Sequence, residues 1–291
     1  MLLFHLGIIH SGYKGVDIFF VISGFVMYYT LFAKTRPGPV TFIIHRLAKI
    51  FFLYWMALTI LYLVVPYRID LSFIKTLFLI PGHSSVLNVS WSLSYELYFY
   101  FLIGMIVYLI PGKYSAAIFI ALFIVSSSII LLSFTPYTFK GTVFNFLLGQ
   151  NLWEFLLGIL AGFLFTSSKN INQIVALAIA VISCLLLLII DMPYSAPSSY
   201  LIYGLLSFGA VCFITIYEKE VRINTRIADI FKVLGDASYA IYLFGPIITV
   251  AIKITNDLSK ATIILATIGL SILFNQEVEA PFLKWVRKKA D

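Results

Sequence analysis

Apolar residues run through this chain in long unbroken blocks, not in the alternating or helical-period stripes of half-buried elements. Crossing a bilayer takes roughly 17–25 mostly apolar residues in a helix. Blocks of that kind lie at 16–33, 44–65, 93–110, 115–134, 144–166, 172–190, 199–217, 234–254 and 260–276. Residues 1–10 have the pattern of the outer half of one more span, and 71–82 is apolar but only twelve residues long, too short to cross. The pattern predicts an all-α polytopic transmembrane bundle of about ten spans, the first incomplete, plus a short re-entrant or interfacial helix at 71–82.

Composition narrows the class. The 291 residues are 61% hydrophobic and 11% charged, with a mean hydropathy of +1.01. A soluble domain is about 45–50% apolar and about 25% charged. A disulfide scaffold, a disordered chain and an ordinary cytosolic enzyme are excluded. The formal charge of +7 does not read as a nucleic-acid patch, because Lys and Arg in a membrane chain chiefly mark cytoplasmic loops. With the tail after 276 placed inside, the tail and the other inside segments, counted with the entrance to the second full span, together hold 14 of the 20 basic residues. The alternation works only if 71–82 does not cross, and it puts both termini in the cytoplasm.

No soluble domain is expected, so 1–291 reads as one membrane domain. Its longest polar stretch, YEKEVRINTRIADIFKV at 217–233, reads as a cytoplasmic linker. No internal repeat is visible, which weakens an inverted-repeat transporter. Gly158 and Gly162 read as close helix packing. Cys184 and Cys212 lie in apolar runs and read as small buried residues. His5, His10, His45 and His83 have no metal-ligand spacing, so no metal is expected. The start, MLLFHLGIIH, has neither the basic region nor the cleavage site of a signal peptide.

Ionisable groups within apolar blocks are costly, and each marks a site or a paired structural role. They are His5, Asp17, Arg46, Lys49, Glu96, Glu154, Asp236, Glu277 and Glu279. Histidine can take and return a proton near neutrality, but a lone one on an apolar helix is also a common interhelical hydrogen-bonding residue. Glu96 stands among Ser92, Ser94, Tyr95 and Tyr98, where it can orient an imidazole or simply satisfy hydroxyls. Asp17 can complement a helix N-terminus. Arg46 and Lys49 share one helix face, as topology anchors or as a clamp for a phosphate.

Five stretches together resemble the acyltransferase-3 family of integral-membrane acyltransferases, which modify bacterial surface sugars. They are GYKGVDIFFVISGFVM at 12–27, HRLAKIFFLYW at 45–55, NVSWSLSYELYFY at 88–100, LGDASYAIYLF at 234–244 and VEAPFLKW at 278–285. The resemblance covers essentially the whole chain, and RPGPVTF at 36–42 leans toward the exopolysaccharide-modifying branch. It implies an O-acyltransferase of the bacterial inner membrane. The donor would be cytosolic acyl-CoA, with acetyl the expected acyl group, and the acceptor a glycan hydroxyl. LLFH places the family's essential histidine at His5, with Glu96 as its partner. Arg46 and Lys49 would hold CoA, and Asp17, Ser23, Trp91, Ser92, Ser94 and Tyr239 would line the pocket.

His5 as general base and His5 as acyl-carrying nucleophile both stay open. The chain departs from the family pattern in several places. An arginine usual eleven positions before the histidine would fall before Met1, so a longer start is expected. Lys49 stands where Arg is frequent, Phe52 where Pro is common, and Gly245 where His often follows. The competing readings are a proton-coupled exporter or glycan flippase, and an inactive truncated member of the family.

Overall fold

In hydrocarbon a backbone has no water to bond, so it must satisfy its own N–H and C=O groups. A computed structural model describes residues 2–33, 36–65, 71–81, 87–132, 143–167, 171–193, 197–220, 225–251 and 257–290, and its regular elements are all helical. In chain order they are α1 (Leu2–His5), α2 (Gly15–Tyr28), α3 (Pro39–Val64), α4 (Leu71–Leu77), α5 (Trp91–Leu109), α6 (Gly112–Leu132) and α7 (Val143–Leu148), followed by α8 (Gln150–Ser167), α9 (Gln173–Ile189), α10 (Pro197–Glu220), α11 (Thr225–Asp236), α12 (Ser238–Ala251), α13 (Asp257–Phe274) and α14 (Ala280–Ala290). A 3-10 turn, His10–Lys14, leads into α2, and π turns follow α2 (Tyr29–Ala33) and α13 (Asn275–Glu279).

Seven stretches among the described residues are long and apolar enough to cross a membrane: His10–Phe32, Pro39–Val64, Trp91–Leu109, Tyr114–Leu131, Phe146–Ser167, Ser198–Glu218 and Leu258–Ala290. Each coincides with an expected span. The block at 172–190 forms the shorter apolar helix Gln173–Ile189. The apolar run at 71–82 yields only the seven residues of α4, in keeping with a segment that does not cross.

Three expectations are corrected. Residues 1–10 hold only the four-residue α1 before the 3-10 turn, and helical structure leading into the next span starts at His10. The block 234–254 is not one straight span: α11 and α12 meet at Ala237 with a bend of 57°. The C-terminal half of the expected polar linker is the helix α11. Arg226, Asp229, Lys232 and Asp236 place a charge on nearly every turn of α11, which a straight apolar crossing cannot hold. The Ser238 hydroxyl then closes the bend on Gly235 O at 2.7 Å. Finally, the last helix does not stop at 276 but continues through the π turn to Ala290.

The chain divides into two compact units, one of residues 1–12, 38–98 and 224–291, the other of residues 13–37 and 99–223. In the first, α12 packs on α1, α3, α11 and α13, and α14 packs along α3. Phe52 and Phe282 stack there with centroids 3.9 Å apart. Tyr54 and Trp55 of α3 pin α4 by donating to Thr76 O (2.6 Å) and Leu77 O (3.1 Å).

In the second unit α2 lies directly against α8. A Cβ on Gly24 would come 2.0 Å from Phe155 O, and one on Gly158 would come 2.0 Å from Val21 O. The backbones touch because neither residue has a side chain. The expected packing role of Gly158 and Gly162 holds, with Gly24 and Tyr28 as their partners.

Substituting Gly158 by Val forces these backbones apart and is expected to destabilise the protein by about 1–3 kcal/mol or more, as overpacked contacts do. Gly269→Ala, where a Cβ meets nothing within 4 Å, leaves stability nearly unchanged. Thermal unfolding of the two variants in detergent checks the contrast.

Candidate active site

In the first unit α12 meets three of the sequence motifs at three-residue steps, each about 4.5 Å along the helix axis. At the first step, Tyr239 donates to Ile50 O, the residue after Lys49, at 3.2 Å. At the second, Tyr242 lies 2.8 Å from Val89 O and 2.8 Å from Ser92 Oγ. Ser92 Oγ itself lies 3.1 Å from Val89 O, which closes a triangle of polar atoms at the start of α5. The Glu96 carboxyl, one turn further along α5, interacts electrostatically with the Tyr242 hydroxyl. At the third step, Gly245 leaves room for Leu2 Cδ1, 3.1 Å from where a Cβ would stand. Leu2 opens α1, the helix that His5 ends.

Ser92, Ser94 and Glu96 are all buried, whereas Trp91 lies on the exposed side with its ring edge-on to Tyr95. The backbone of His5 closes α1, while its side chain lies outside the described residues. Arg46, half-buried in the second turn of α3, has its guanidinium 5.6 Å from the Phe42 ring centroid. Lys49, one turn on, is exposed, and its charge acts on the buried Glu279. Asn275 Nδ2 holds Glu279 Oε2 at 3.0 Å and also donates to Asp236 O at 3.0 Å. Asn275 thus ties Glu279, which lies within the field of Lys49, to the end of α11.

Asp17 and Ser23 belong to the second unit. Both are buried in α2, and the Asp17 carboxyl is hydrogen-bonded to that of Glu154 on α8. The two residues singled out as pocket-shaping are therefore organised by contacts within that unit.

Reading by motif missed Tyr242, and it marked Glu279 only as an ionisable group closing the last apolar block. Both stand inside motifs already quoted, and a signal was present for Tyr242. It falls three residues after Tyr239, on the same side of a helix, with its hydroxyl needing a partner once buried. Among the described residues no cluster of three or more His, Cys, Asp or Glu is arranged to hold a metal. The chemistry these side chains offer is hydroxyl and carboxyl hydrogen bonding beside a cationic pair.

The fold is that of a multi-pass helical membrane protein, and the chain belongs to the acyltransferase-3 family. That family's sequence model, described as an acyltransferase domain, matches residues 6–275, so the match begins one residue after His5. A characterised relative is the exopolysaccharide production protein ExoZ of Rhizobium meliloti (strain 1021), 24% identical over 260 residues that cover 80% of this chain and 75% of the relative. No solved structure matches the chain.

Tyr242→Phe removes one corner of the triangle with Ser92 and Val89 and is expected to cost about 1 kcal/mol. Adding Ser92→Ala should cost less than the two single changes summed, because both act on one network. A double-mutant cycle by thermal unfolding in detergent measures this coupling.

Proposed function

We propose that this protein transfers an acyl group, acetyl in the first instance, from cytosolic acyl-CoA to a hydroxyl of an exopolysaccharide or other cell-surface glycan. It does so in the bacterial inner membrane, with both termini in the cytoplasm. The observation that carries the reading is the line along α12, where the basic motif, the Trp-Ser-Leu-Ser-x-Glu motif and the helix that His5 ends meet one element at successive turns. A cation pair for phosphates beside a carboxylate and a histidine is what thioester chemistry at a membrane needs, and an exporter has no evident use for it. The relative's description as an exopolysaccharide production protein supports a glycan acceptor.

In this reading Arg46 and Lys49 hold the phosphates of CoA by charge-assisted hydrogen bonds. The acceptor hydroxyl attacks the thioester carbonyl, a C–O bond forms, the C–S bond breaks and CoA leaves as the thiol. His5 removes the hydroxyl proton, or else first carries the acyl group on its own ring. Glu96 orients the imidazole and stabilises its charged form. Trp91, Ser92, Ser94 and Tyr239 shape the surroundings.

His5→Ala is expected to lower acyl transfer by about 10²–10⁴-fold, the usual scale for a lost general base, with the protein still inserted in the membrane. Full activity in that variant removes His5 from the mechanism. An acyl-histidine adduct trapped by acid quench marks the nucleophile route, and its absence marks the base route.

Arg46→Gln with Lys49→Gln is expected to raise KM for acetyl-CoA with a smaller change in kcat, read from initial rates across donor concentrations. An unchanged KM returns the pair to topology anchors. Failure of the wild-type protein to bind or cleave acetyl-CoA favours the exporter reading.

A further inference from the structure

The second unit contains polar side chains that acyl transfer, as proposed, leaves without a chemical task. Asp17 on α2 and Glu154 on α8 are 3% and 1% exposed, and their carboxyls are hydrogen-bonded to each other. An ionised carboxylate can only accept hydrogen bonds, so one of the two must carry a proton. Two carboxylates in contact away from water do not both ionise. Glu154 Oε1 has no hydrogen-bond partner among the described residues.

Helix α10 forms the third wall. A Cβ on Gly204 would come 3.3 Å from Glu154 Cγ, so α10 can sit against α8 there. Tyr200, one turn before Gly204, interacts electrostatically with both carboxyls. Ser207, one turn beyond, has a buried Oγ with no hydrogen-bond partner among the described residues.

The polar groups continue from there toward the end of α9. Tyr203 is three residues from Tyr200 on α10. Its hydroxyl donates to Met192 O at 2.9 Å, accepts from Met192 N at 2.6 Å and lies 3.5 Å from that of Tyr13, which donates to Asp191 Oδ1 at 2.7 Å on the exposed side. Lys14, one turn before Asp17, is buried but directed elsewhere, and its ammonium donates to Leu187 O at 2.9 Å and to Ile190 O. The titratable group that faces the pair from α10 is therefore Tyr200, with Tyr203 further along the same helix and Tyr13 and Lys14 in the turn that leads into α2. Helices α6 and α7 also pack on α8. From α6 come Ser126, which donates to Gly149 O, Ser127, which donates to Phe123 O and accepts from Trp153 Nε1, and Phe123, whose ring stacks on Trp153, and α7 contains no ionisable residue.

We propose that Asp17 and Glu154 form an intramembrane proton-binding site, reached from the exposed Asp191 through the hydroxyls of Tyr13, Tyr203 and Tyr200. The proton moves by relay: each hydroxyl accepts one proton and releases another, no bond to carbon changes, and no further reactant is needed. This site stands independently of the acyl-transfer reading and makes no use of His5.

Infrared spectroscopy of the purified full-length protein in lipid tests the site directly. The wild type is expected to show a protonated-carboxyl C=O band at neutral pH that shifts down on transfer to D2O. The Asp17→Asn, Glu154→Gln double variant, in which two amides can still bond each other, should lose that band. Tyr200→Phe should keep the band but delay its shift. No such band in the wild type, a band that D2O does not move, or the same band in the double variant overturns the site. An undelayed shift in Tyr200→Phe overturns the route.

Should the double variant fail to fold, wild-type protein treated with the hydrophobic reagent dicyclohexylcarbodiimide decides the matter. An adduct mapped by mass spectrometry to Asp17 or Glu154 at neutral pH supports the site, and unmodified carboxyls at both positions overturn it.

Discussion

A polar side chain inside hydrocarbon has no water to bond, so it must find its partner in protein. Nearly every feature of this molecule's interior follows from that constraint. Lys14 is almost fully buried, yet its ammonium finds the carbonyls of Leu187 and Ile190, where the end of α9 leaves acceptors without helical donors. The same ammonium lies 4.8 Å from the Tyr203 ring centroid and 5.5 Å from that of Tyr13. Tyr242 finds Ser92 and Val89, Asn275 finds the carbonyl of Asp236, and Asp17 finds Glu154. In each case the partner lies on another element, so satisfying the group also joins the chain to itself. The apolar surface that makes up most of the sequence cannot do this, since lipid tails solvate it as well as a neighbouring helix does.

That division explains what could be read from the sequence. Block length and hydropathy report the transfer of a segment into lipid, a local property, and the seven crossing helices coincide with blocks found by counting. The ends of segments depend on hydrogen bonds made outside the block. The span expected to open at 16 has its helical lead-in from His10, and the block at 234 breaks at Ala237, where Ser238 turns back on Gly235. A charge beside an apolar run, such as Lys14, normally sits in water. Only the position of the α9 terminus, far along the chain, makes its burial possible.

The site shows the same limit. Glu96, Arg46, Lys49 and Tyr239 stand out because their types are unusual in apolar runs and their motifs resemble a known family. Glu154 was conspicuous for the same reason, but its partner Asp17 is distant in sequence and no spacing rule connects them. Gly158 was legible as a packing glycine, while its partner Gly24, inside the most specific motif, was not. One motif therefore carries both a carboxyl and the backbone contact that holds α2 against α8. Its glycine brings the two helices close enough for Asp17 to reach Glu154.

Helix α12 carries the argument one step further. Pro246 stands inside it, and a proline has no N–H for the carbonyl four residues back, which is that of Tyr242. The residue whose side chain joins α12 to the start of α5 is thus also the one whose backbone carbonyl is excluded from the helical ladder. Gly245, just before the proline, is where α1 packs against α12, and Thr249 returns its hydroxyl to Gly245 O at 2.8 Å. The helix runs on unbroken through Pro246, so what leaves the ladder is this one carbonyl, over the turn where two motifs converge. A fully regular apolar helix would bury its backbone polarity within itself and leave only side chains to meet a substrate. By interrupting that ladder at Tyr242 and keeping apolar helix on either side, the fold sets backbone as well as side-chain polarity at one level of an otherwise lipid-compatible element. A carbonyl left out of the ladder is tolerated at membrane depth only where protein or a polar cavity surrounds it, and Leu243, Phe244, Gly245 and Ile247 around this turn are buried in protein.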